Sequence, residues 1–158
     1  MTTTDQNSRD SLNRVPLPAL ILTAAGAIPF LALAIAPWLD VEPFGRPAGE
    51  PLSLYALAIL SFMGAIHWGL AMATPNANQA TNYAASVIPA LVGWFALILL
   101  PVALALRVMA AAFVLLLIYD IRATRLGTAP PWYPGLRIPV TVVVVTALAL
   151  ASLAGAPL

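Results

Sequence analysis

One histidine, His67, lies deep inside a long apolar stretch, and three polar side chains, Asn82, Asp120 and Arg137, stand at the ends of other such stretches. A histidine beside a carboxylate can relay protons, and with Arg137 added it can hold an anionic ligand. An ionisable group inside an apolar span is a functional hypothesis by default, since burying it in hydrocarbon is costly. The plainer expectation is a neutral imidazole, hydrogen-bonded to a carbonyl or hydroxyl, that locks neighbouring helices together. A haem or metal role is the weakest of the three. The chain has one histidine and no cysteine, and no carboxylate lies mid-span, which leaves too few ligands for a protein-only metal site.

Other residues invite chemistry and resist it. Arg107 follows Pro101 closely enough to reach a membrane interface, with Asp40, Glu42 or Glu50 as expected partners. Ser61 and His67 share a stretch, but their spacing turns them apart on a helix, and no glycine-framed nucleophile motif occurs. No catalytic constellation is found, so an enzyme is not expected. The segment 130–137 combines three prolines with Trp132, Tyr133 and Arg137. It reads as an interfacial re-entry loop, or as a lid or docking patch near His67.

The elements that position these residues are set by composition. Hydrophobic residues make up 61% of the 158-residue chain and charged residues 8%, which excludes a soluble or a disordered domain. Backbone polar groups in lipid must be satisfied internally, so only helices or a closed barrel can span it. Long runs without apolar–polar alternation exclude the barrel. The expected fold is an all-α integral membrane protein, a single domain over 15–158 preceded by a polar tail over 1–14. Five apolar spans fall at about 17–38, 52–73, 81–100, 102–121 and 136–155, each near the ~20 residues a bilayer crossing needs. The first is retained as a membrane helix, because it is longer than a signal-peptide core and Pro37 follows the nearest cleavage-like site. Pro29 and Pro89 should bend the first and third spans, and a proline-stiffened loop over 122–135 should be extended. Ser61, Ala65, Gly69 and Ala73 recur every fourth residue and predict the face of the second span that another helix approaches. His67 is expected on the opposite face.

Five spans put the termini on opposite sides. Arg9, Arg14, Arg122, Arg125 and Arg137 share one side, whereas only Arg46 and Arg107 fall on the other. That excess places the N-terminus in the cytoplasm and the C-terminus in the periplasm. His67, Asn82, Asp120 and Arg137 then belong to the inner leaflet, His67 about 9 Å deep if six residues separate it from the helix end. Net charge of +1 and the lack of a basic stripe give no case for nucleic acid.

Segments 18–30, 55–71, 82–96 and 131–141 resemble a bacterial and mitochondrial family known as domain of unknown function 3429. The best markers are the run Gly64-Ala-Ile-His-Trp-Gly69 and the run from Trp132 to Arg137. The resemblance implies a multi-pass inner-membrane protein and singles out His67, Trp68, Trp132, Tyr133 and Arg137 as motif positions. It implies no activity or cofactor, and none is predicted. The leading expectation is a non-enzymatic protein of the bacterial inner membrane that joins or helps assemble a larger membrane complex, or self-associates. The alternative is a small-molecule binder or transporter with a polar site around His67.

Overall fold

The computed structural model describes residues 14–73 and 79–154. All but the last residue of the expected tail over 1–14, most of the second loop and the last four residues lie outside them. Among the described residues the chain is helical throughout its regular structure, with α1 at Leu17–Ile35, α2 at Gly49–Ala73, α3 at Gln79–Leu99, α4 at Val102–Arg125 and α5 at Tyr133–Ala154. All five are long and apolar enough to cross a membrane. The valine-rich run 142–145 is helical, as the need to pair every backbone group in lipid requires.

Local chemistry sets the ends. Pro16 stands just before α1 and Pro18 in its first turn, where a missing N–H costs nothing. Two short 3-10 turns, Ala36–Leu39 and Pro43–Gly45, carry the chain to α2. The Gln79 side chain donates to the Ala71 carbonyl at 3.1 Å, tying the start of α3 to the last turn of α2. Pro101 stands at the start of α4 directly after α3, giving a tight helical hairpin.

The last connection corrects its expectation. α4 continues to Arg125 and α5 already begins at Tyr133, so the loop shrinks to 126–132. It is a compact turn rather than an extended strap. Gly127 adopts φ 74°, a conformation glycine takes without steric cost, and the Thr128 hydroxyl donates to the Ala123 carbonyl at 2.9 Å. Pro134 sits in the first turn of α5, where proline is tolerated, instead of stiffening the loop.

The helices pack unequally. α2 packs most extensively on α3 and α4 on α5, while α1 leans on α5 more than on α2. Phe30, Leu52, Leu60, Leu106, Phe113 and Leu148 form the centre of the core. The close approach between α2 and α3 is at Gly64, where an added Cβ would stand 2.5 Å from the Ser86 carbonyl oxygen and 3.2 Å from the Pro89 ring. This overturns the expected small-residue face. Ala65, Gly69 and Ala73 are exposed, and a Cβ on Gly69 would meet nothing within 4 Å. The buried face of α2 runs instead through Ala56, Leu60, Gly64, His67 and Ala71. Small residues permit close packing, but the stripe that also carries bulk and polarity won the core.

Candidate functional site

The polar groups gather where α2 and α4 end and α3 and α5 begin. His67 lies on the last buried turns of α2, one helical turn beyond Gly64, so the notch that admits α3 also fixes the depth of the imidazole. Asp120 comes from α4, and Arg137 from the first turns of α5. His67 Nε2 donates to Asp120 Oδ1 at 2.8 Å, and Arg137 Nε donates to Asp120 Oδ2 at 2.6 Å. The three are 1%, 0% and 4% exposed, so one carboxylate joins three helices out of reach of solvent. A buried carboxylate requires such compensation. Asp120 and Arg137 balance each other; neutral His67 leaves the cluster uncharged, and protonated His67 leaves it with one positive charge.

Asn82 joins at one remove. The Tyr119 hydroxyl donates to Asn82 Oδ1 at 2.7 Å, and the Tyr119 ring stands edge-on to His67 with centroids 4.7 Å apart. Trp68, about half exposed, packs edge-on to Tyr83 rather than on the cluster. Trp132 contacts the buried Tyr133.

Arg107 behaves differently from expectation. It donates to the Ser152 hydroxyl at 3.3 Å and to the Ser152 carbonyl at 3.4 Å, not to the loop acids. Glu50, in the first turn of α2, instead faces Arg46 of the preceding loop at 3.7 Å. The Ser61 hydroxyl donates to the Leu57 carbonyl, and that of Ser86 to the Tyr83 carbonyl, so both hydroxyls are committed within their own helices.

A cavity of about 330 Å³ opens beside Arg137, bounded by α1, α2, α4 and α5. Its walls include Phe30, Ile59, Phe113, Val140 and Val144, and at its edge stand Leu22 and Phe62, both mostly exposed. Tyr133, Arg137 and Thr141 line it as well. The Tyr133 hydroxyl, Arg137 Nη2 and the Thr141 hydroxyl are all buried without a hydrogen-bond partner among the described residues. The remaining guanidinium nitrogen, Nη1, points to the Met63 sulfur. Residues 133, 137 and 141 are spaced by four, so all three lie on one face of α5. Sequence reasoning missed Thr141, although that spacing was readable. A larger cavity of about 760 Å³, beside Asp40, Glu42, Glu50 and Pro101, belongs to the other end of the bundle and, among the described residues, is lined by no buried side-chain polar atom without a partner.

The fold and this site define a five-helix membrane protein with an ion-paired polar core at one end. The family described as "Protein of unknown function (DUF3429)" matches residues 15–153, and the chain belongs to it. A relative, "Transmembrane protein 69" of Xenopus tropicalis, is 34% identical over 146 residues, covering 87% of this chain and 54% of its own. The chain therefore spans about half the length of that curated relative. No solved structure matches it.

Proposed function

We propose that this protein is a non-catalytic small-molecule binder of the bacterial inner membrane, with its N-terminus cytoplasmic and its site in the inner leaflet. The observation that carries this reading is the cavity that ends on Arg137, and so on the chain Arg137–Asp120–His67. A bundle needing only a structural lock would close around its ion pairs. Here a volume at the lower end of the ~300–1,000 Å³ of ligand pockets abuts them. The arginine asymmetry between loops supports the orientation. No resident cofactor is part of the proposal, and the committed hydroxyls of Ser61 and Ser86 argue against a nucleophile.

Native mass spectrometry of the protein, extracted from its own membrane in mild detergent, tests the reading. A bound species of defined mass is expected, and it should be lost in Ala19→Trp, which places an indole in the cavity. Bare protein across several gentle detergents would overturn it.

Association with a membrane partner retains one observation in its favour. The outward-facing Ala65, Gly69 and Ala73 leave a flat edge on α2 that no helix among the described residues uses. The same spectra would show it as a protein adduct or dimer.

A further inference from the structure

Three buried polar atoms on one face of α5, the Tyr133 hydroxyl, Arg137 Nη2 and the Thr141 hydroxyl, have no hydrogen-bond partner among the described residues, and their residues line one cavity. Each is a hydrogen-bond donor. Arginine can only donate, while the tyrosine and threonine hydroxyls can donate or accept. A buried donor left unmade costs free energy, more so when it belongs to a charged group. The groups are 7%, 4% and 2% exposed for Tyr133, Arg137 and Thr141, so the bilayer's own headgroups do not reach them from the surface. The requirement they share is an oxygen acceptor delivered into the cavity.

The rest of the lining specifies what carries that oxygen. Apart from this trio and Thr23 the lining is apolar or aromatic, with Gly26 among it. The mostly exposed Leu22 on α1 and Phe62 on α2 stand at its rim, on surfaces that face hydrocarbon in a membrane. An occupant thus enters sideways from the bilayer, not from water. The volume admits a compact head and the first part of a chain, with the remainder lying between α1 and α2.

Resting on the binding reading above, we infer that the ligand is a single-chain amphiphile or prenyl-type molecule. It ends in a carboxylate or quinone-like carbonyl, with its oxygen accepting from Arg137 Nη2, Tyr133 and Thr141. An ammonium head is excluded, because it brings a cation to a cation and offers no acceptor to Arg137 Nη2. A carboxylate head suits the cluster with His67 protonated, which then holds two cations against two anions. A neutral carbonyl suits it with His67 neutral.

The test uses the full chain, stripped of adducts and placed in phospholipid nanodiscs. Trp132 lines the cavity, so a ligand seated there quenches its fluorescence. The probes are dibromostearate for the acid, decylubiquinone for the carbonyl, and bromohexadecane as a tail with no acceptor. Saturable quenching is expected with the acid, the quinone or both, whichever binds identifying the head, and only non-saturable partitioning with bromohexadecane. Tyr133→Phe and Thr141→Val preserve shape while removing one hydroxyl each. Each should weaken saturable binding about fivefold, the ratio for one hydrogen bond of ~1 kcal/mol. Equal binding by bromohexadecane, or unchanged affinity in both variants, overturns the acceptor assignment and leaves the cavity reading intact. No binding by any probe, alongside a native adduct of other chemistry, also overturns the ligand class alone. No binding and no native adduct overturns both, with ordered water left as the donors' partner.

Discussion

Two arginines at opposite ends of the bundle solve the same problem differently. Arg107 is exposed and is met by neutral acceptors, the hydroxyl and carbonyl of Ser152. Arg137 is 4% exposed and is met by a carboxylate that a histidine also holds. A cation that can reach the interface keeps its hydration and needs no counter-ion. A cation withdrawn from it needs an opposite charge, because desolvation outweighs anything a neutral acceptor returns. Even so, one nitrogen of Arg137 is left over, and that excess falls on a cavity. Burial with spare capacity separates the candidate site from a mere anchor.

The contrast breaks most clearly at Asp120. Asp120→Ala strands the guanidinium and the imidazole, and should cost ~3–5 kcal/mol in denaturant titrations of the micellar protein. Replacing the group as a whole, with Asp120→Leu, Arg137→Met and His67→Leu together, should recover most of that loss while abolishing ligand binding. A triple variant as unstable as Asp120→Ala would mean that packing, not stranded charge, sets the cost.

The next effect concerns how His67 is held in place. Gly64→Ala drives a methyl toward the Ser86 carbonyl and should destabilise by ~1–3 kcal/mol, as overpacking does. On the opposite face, Gly69→Leu should change stability by no more than ~0.5 kcal/mol, as open surface positions do. Thermal unfolding of the two variants in one detergent compares them directly, and a larger loss for Gly69→Leu would show that the outer edge of α2 is covered in the native assembly. Smallest of all should be Arg107→Gln, which keeps a donor for Ser152 and should stay within ~0.5 kcal/mol of the parent. A loss comparable to that at Asp120 would erase the distinction between the two arginines.

Much of this was readable before any coordinates. Five spans follow from apolar length alone, and the proximity of His67, Asp120 and Arg137 follows once the spans are folded up and down. Asn82 is expected in the same cluster, and it reaches His67 only through the Tyr119 side chain. The packing face of α2 was misread because a stripe of small residues fits a tight interface and a lipid-facing edge equally well. Only the neighbours decide between them, and here Pro89 of α3 takes Gly64. Thr141 was missed although its spacing from Arg137 was legible, because a threonine in a β-branched run announces nothing until the face it shares with Arg137 proves to line a cavity. The cavity could not be read at all, since a void is a property of several helices and of no one segment.

The pairing of α1 with α5 sets an order on the birth of the molecule. Ribosomes deliver helices in sequence, and α1 packs most on α5, which emerges only after the three helices between them. Asp120 can meet His67 as soon as α4 is inserted, but the guanidinium arrives only with α5. Until then Asp120 lacks its guanidinium and α1 lacks most of its packing, held only by α2. Insertion of α5, closure of the bundle around α1 and delivery of the guanidinium to Asp120 are therefore one event, and a chain truncated within the first turns of α5 fails all three together.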